Sequence, residues 1–250
     1  MDGFAFWALA VLASVFVGMG KGGLPVVGML SVPVLALVPG MSPVTAAGLM
    51  LPLYVVSDMF GLYAYRHAFD RRVLAILLPA ATLGILLGYL TAKVVSEAWV
   101  TVLIGLIGVV FALNLLIKRQ VLVAPARAKV APGVFWGAVT GFTSFVSHSG
   151  GPPYQVYTMP LGMTKAVFAG TSTIAFAYIN AVKLIPYYLL GQINLASLEK
   201  VLVLMPVAAI SVFVGVRLVK WLPERLFFQL VTWALLLVSI KLMWDGYRGF

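Results

Sequence analysis

The sequence predicts an all-α polytopic membrane protein of two inverted repeats, each a broken or re-entrant helical hairpin followed by three transmembrane helices. Three observations predict it. Apolar runs long enough to cross a bilayer as helices recur from one end of the 250-residue chain to the other. Hydrophobic residues make up 62% and charged residues 10%, with a mean hydropathy of +1.07, which leaves too little polar surface for a soluble domain. Segments of the first half also return, in order, in the second half.

The first element is a hairpin over 4–38, interrupted near its middle by GMGKGGLP (18–25). One continuous helix there would be roughly 50 Å long against a hydrocarbon core of about 30 Å, so two arms meeting at GKGG are expected, with Pro25 in the first turn of the returning arm. Asp2 stands where a signal peptide would be basic and no A-x-A site follows, so this stretch is expected to persist as the first membrane segment. Helices over 43–65, 73–92 and 98–117 complete an N-terminal repeat of residues 1–117. A Lys/Arg/Ala/Pro-rich linker covers 118–131. The C-terminal repeat, 132–250, opens with a hairpin over 132–160 whose second arm, after SHSGGPP (147–153), is too short to cross. Helices over 166–190, 198–219 and 225–244 follow.

The repeat is legible residue by residue. PGMSPVTAAGLMLP (39–52) matches LGMTKAVFAGTSTI (161–174), GGLP (22–25) matches GGPP (150–153), and HAFD (67–70) falls beside GQIN (191–194). LLPAATLGILLGYLTAK (77–93) resembles LMPVAAISVFVGVRLVK (204–220), after which Glu97 corresponds to Glu224. A two-arm hairpin plus three spans is an odd number of crossings, so the second half is inverted relative to the first. The charge distribution agrees. Segments 66–72, 118–131, 161–165 and 217–225 hold eleven Lys and Arg, and the opposite side holds Lys93, Lys200, Lys241 and Arg248. A parallel repeat would still give ten against five, so the hairpin geometry is the stronger argument. The net charge of +10 is spread over helix ends facing an anionic membrane surface, which argues against a nucleic-acid partner. The chain has no cysteine, which excludes disulfides and thiolate metal sites, and no cofactor is expected.

The polar residues within these spans point to an anion site. Broken helices near the bilayer midplane expose free backbone N–H groups, and glycine lets a ligand approach the backbone closely. The candidate substrate-binding residues are Gly20, Lys21, Gly22 and Gly23 at the first tip, and His148, Ser149, Gly150 and Gly151 at the second, with Pro152 and Pro153 opening its returning arm. Thr171, Ser172 and Thr173 of GTST (170–173) join them, because hydroxyls donate to oxygens that only accept. Plainer readings stand beside each. Lys21 could be an interfacial lysine at the end of a complete span, His148 a structural residue, and the hydroxyls helix-packing groups bonded to their own carbonyls. Asp58 and Lys183 are charges well inside spans, and the repeat register sets Asp58 against Asn180. Asp58 is expected to pair with Lys183 or Lys21, either as a structural ion pair or, with Asn180, as a coupling or gating group.

At GKGG (20–23), the Pro-Gly-Met-Ser segment (39–42), SHSGGPP and GTST, the chain resembles the sulfite exporter TauE/SafE family of membrane transporters, over essentially its whole length. The resemblance implies a secondary transporter of a small sulfur-containing anion (organosulfonate, sulfite or a related oxyanion), mostly outward, as a multi-pass protein of the bacterial inner membrane. Its partners would be that anion and the lipid bilayer, with a homo-oligomer left open. Two other classes stand as alternatives. An intramembrane enzyme would need a base facing a nucleophile, yet Ser144, Ser147 and Ser149 lie too near His148 in sequence to face it on a helix. A membrane anchor for a soluble partner has short loops to offer, with 118–131 the main candidate. No nucleotide-binding motif is present, so ATP-driven transport would need another subunit.

Overall fold

The computed structural model describes residues 3–24, 27–28, 30–41, 43–92, 94–118, 124–189 and 198–249; for 43–45, 47, 48, 51 and 198–201 it describes the backbone alone. Pro25, Ser42, Lys93, residues 119–123 and the GQIN stretch at 191–194 therefore lie outside the described residues, as do the expectations placed on them. Among the described residues all regular structure is helical. The elements are α1 (Phe4–Lys21), α2 (Ser31–Leu35), α3 (Pro43–Tyr65), α4 (Arg71–Thr91), α5 (Glu97–Ile117), α6 (Val130–Ser147), α7 (Gly151–Thr158), a 3-10 turn (Met159–Leu161), α8 (Lys165–Leu189), α9 (Leu198–Trp221) and α10 (Glu224–Arg248).

Seven of these helices contain stretches long and apolar enough to cross a membrane, α1 and α6 among them. The chain is an all-helical membrane protein. The first arm of each hairpin is longer than a half-span: α1 and α6 have 18 residues apiece, about 27 Å at 1.5 Å per residue. The returning arms are short, five residues in α2 and eight in α7. Pro152 and Pro153 sit in the first turn of α7, where a missing N–H costs nothing because that N–H has no helical partner anyway.

The chain divides into two compact units that do not follow the two sequence halves. Unit 1 takes residues 1–69 and 172–222, and unit 2 takes 70–171 and 223–250, so α8 contributes its first turns to unit 2 and the remainder to unit 1. In unit 1, α1 packs on α9, α2 and α3, and α3 packs on α9. The buried residues of α1 (Phe6, Ala10, Ala13, Ser14, Val17, Gly18) recur every three or four positions, a single helical face. They close a core with Leu35, Met50, Leu53, Leu204 and Ala208. Gly18 lets this face approach α9 closely, since a Cβ there would lie 2.2 Å from Ala208 O. In unit 2, α4 packs on α6 and α5 on α10. Gly84 and Gly141 make the first crossing equally close, a Cβ on either falling within about 2 Å of a carbonyl oxygen (1.9 Å from Ala138 O and 2.0 Å from Ala81 O).

The opposite faces carry Leu83, Leu86, Leu87 and Leu90 on α4 and Trp99, Leu103, Leu106 and Val110 on α5, all exposed, an apolar surface suited to lipid tails. Many Ser and Thr hydroxyls inside the spans bond the carbonyl four residues earlier, as Ser14 does to Ala10 and Thr140 to Trp136, and so need no external partner.

Candidate functional site

The polar interior of unit 1 gathers at the end of α1. Lys21 is the last residue of that helix, and its ammonium lies 2.6 Å from Asp58 Oδ1 on α3. At that distance the contact is a close, charge-assisted ion pair. The other carboxylate oxygen accepts from Asn180 Nδ2 of α8 at 2.8 Å. Lys183, one turn further along α8 and 2% exposed, lies close enough to interact electrostatically with both Lys21 and Asp58. Asp58 is seven residues, about 10 Å, before the end of α3, so Lys21 makes its contact well inside that helix.

One stripe of α3 receives the α1 terminus. Tyr54, Asp58, Gly61 and Tyr65 recur at helical spacing along it. The Tyr54 ring centroid lies 5.4 Å from Lys21 Nζ, a cation–π contact. A Cβ on Gly61 would lie 3.0 Å from Lys21 O and 2.7 Å from Thr173 Cγ2, so only glycine leaves room for α1 there. Tyr65 Oη donates to Gly22 O at 2.7 Å. From α8, Thr173 Oγ1 donates to Lys21 O at 3.1 Å. Lys21 is held at its charge by α3 and at its carbonyl by α8.

The glycines of the first tip face protein backbone. A Cβ on Gly20 would fall 2.6 Å from Gly28 Cα, and one on Gly22 would fall 2.4 Å from Val212 O of α9. Gly23 has a φ of 103°, in the region that disfavours side chains.

Unit 2 holds the second tip. α6 ends at Ser147, and His148, exposed, adopts the left-handed conformation with a φ of 52°. Ser149 N donates to Thr143 O at 3.1 Å and Ser149 Oγ to Ser147 O at 2.8 Å, so the turn closes over the last carbonyls of its own helix. Gly150 and Gly151 are buried and lead into α7. Thr171 also belongs to unit 2. Its hydroxyl donates to Val167 O at 2.6 Å and accepts from Asp70 N at 2.9 Å, tying α8 to the start of α4. Ser172, in unit 1, is 3% exposed. GTST is therefore divided: Thr171 is engaged at the α4 terminus of unit 2, and Thr173 at Lys21 in unit 1.

Lys21, Asp58, Asn180 and Thr173 meet in unit 1, with Lys183 beside them, whereas His148, Ser149, Gly150 and Gly151 form a separate turn in unit 2. Sequence reasoning missed the α3 partners Tyr54, Gly61 and Tyr65, although their spacing from Asp58 (i−4, i+3, i+7) marks one helix face. It also missed Gln155 of α7, 2% exposed, whose Oε1 has no hydrogen-bond partner among the described residues. A polar side chain in the short arm after GGPP was the available signal.

Comparison with known proteins gives one match. The family model described as Sulfite exporter TauE/SafE matches residues 4–242. No individually curated protein matches the chain, and no solved structure does.

Proposed function

The chain belongs to the sulfite exporter TauE/SafE family, and from that premise we propose that it is a secondary transporter moving a small sulfur-containing anion outward across the bacterial inner membrane by alternating access. The substrate class is an organosulfonate, sulfite or a related oxyanion. The observation that carries the reading is a lysine ammonium paired with a carboxylate inside the spans, with a second ammonium beside it. Ionisable groups are costly at that depth and mark ion pathways.

The charged half-site is the first tip, Gly20–Gly23, with Ser172 and Thr173, and Asp58, Asn180 and Lys183 act on it as coupling or gating groups. The second tip, His148–Gly151, with Thr171, is a half-site without a lysine, within its own unit. Inverted repeats support alternating access. Taking each hairpin to enter and leave on one side, three spans per half give an odd number of crossings, which favours inversion. Internal packing agrees with a two-fold repeat: exchanging the halves converts the α1–α9 pair into the α6–α4 pair and returns α5–α10 to itself.

Purified protein in liposomes tests the proposal. Sulfite or sulfonate flux with no other protein present is the expected result, and no flux of either anion overturns it. In the same vesicles, Ser96→Cys and Leu222→Cys should label from opposite faces, because they occupy corresponding loops of inverted halves. Labelling from one face would mean parallel halves.

A further inference from the structure

We propose that Lys21, Asp58, Asn180 and Lys183 form a charge-exchange site in which Asp58 is the resident counter-ion and the transported anion competes with it for Lys21. The inference rests on the proposed transport of a sulfur oxyanion and adds where that anion binds and what it displaces.

The charge count is the first argument. Of the seven acidic residues, Asp2 precedes α1, Asp70 caps α4, Glu97 and Glu224 open α5 and α10, Glu199 lies in the first turn of α9, and Asp245 lies in the last turn of α10. Asp58 is the acidic residue of the span interiors. Lys21 pairs with it directly, and a largely buried ammonium whose only ion-pair partner among the described residues is one carboxylate is matched equally well by another anion.

Geometry is the second argument. A carboxylate and a sulfonate both present acceptor oxygens only, so either can occupy the same lysine. Lys21 meets Oδ1 at 2.6 Å, whereas Oδ2 is held separately by Asn180 at 2.8 Å. When Lys21 turns to another oxyanion, Asp58 keeps its Asn180 bond and the field of Lys183. The side chain of Lys21 is 12% exposed against 5% for that of Asp58, so the open edge of the cluster is the lysine that exchanges.

The exchange has a structural consequence. Lys21 ends α1, Asp58 is on α3, and Asn180 and Lys183 are on α8. Anion binding breaks the α1–α3 ion pair and spares the α3–α8 hydrogen bond, so occupancy is felt at one helix joint. Asp58 and Asn180 are 122 residues apart, the offset of the repeat at this point, and they touch each other. One of two corresponding positions is thus an acid and the other its neutral hydrogen-bond donor, which holds the carboxylate without competing for Lys21.

Equilibrium binding of sulfite and of methanesulfonate in detergent at fixed salt tests this. Asp58→Asn removes the competing charge while keeping its shape and should bind both anions tighter than wild type, by roughly tenfold or more. Asp58→Glu keeps the charge and should show no tightening. Asp58→Ser replaces Asp58→Asn if the latter does not fold. Unchanged or weaker binding by a folded variant lacking the carboxylate, in a protein whose wild type binds, overturns the exchange alone. So does equal tightening in Asp58→Glu, which would indicate a loosened site rather than a removed charge. If neither wild type nor Asp58→Asn binds either anion, the transport reading falls and the exchange with it.

Discussion

The two helix-breaking tips are related by the repeat, yet they are held in different ways. At both, a helix stops and a left-handed residue turns the chain, Gly23 in one and His148 in the other. The second tip closes on itself, with Ser149 bonded to Ser147 and Thr143 of its own helix. The first is wired outward: α3 takes the Lys21 charge and the Gly22 carbonyl, and α8 takes the Lys21 carbonyl. The turning residue thus falls on Gly23 in one and on His148 in the other, and what the tips share is a turn beside a GG pair. The residue before it, Lys21 in one and Ser149 in the other, is the part that differs chemically. The repeat copied a backbone device and left the charge in one copy.

Cutting that wiring should damage the first tip more than any change of shape. Lys21→Gln leaves Asp58 buried with its charge unmatched by Lys21, and should cost about 3–5 kcal/mol of stability. Adding Asp58→Asn to Lys21→Gln replaces the ion pair with two neutral amides and should restore most of the loss. The thermal midpoint in detergent, for the single and double variants, reads both effects. A single variant as stable as wild type would make the ion pair incidental.

A smaller effect is expected from packing. Gly22→Ala places a methyl group 2.4 Å from Val212 O and 2.8 Å from Gly215 Cα, so α1 must move off α9. The overpacking cost is about 1–3 kcal/mol by the same measurement. No loss at Gly22 would mean that α1 and α9 are less closely apposed than described.

The fold class and the two tips were legible because hydropathy and Gly/Pro punctuation are local signals. The repeat register set Asp58 against Asn180, but the partner expected of Asp58 was Lys183 or Lys21; Lys21 meets one carboxylate oxygen and Asn180 donates to the other. The reason for the glycines was not legible. They suggested access for a ligand, yet Gly20 and Gly22 face Gly28 and α9, and a chain read alone cannot say which backbone approaches which. GTST misled in a similar way. Three adjacent hydroxyls look like one group, but a helix turns about 100° per residue and sends Thr171 to Asp70 and Thr173 to Lys21. Lys183 drew notice as a charge in a span, but its place beside Lys21 and Asp58 depends on how α8 is turned, which sequence does not give.

The measurement that bears most directly on the contrast between the tips is anion affinity. In an Asp58→Asn background, which leaves no buried acid to orphan, sulfite binding is measured with Lys21→Gln and separately with His148→Gln. The account predicts that Lys21→Gln weakens binding by at least roughly tenfold more than His148→Gln does. Equal losses from the two, or full affinity without Lys21, would contradict it.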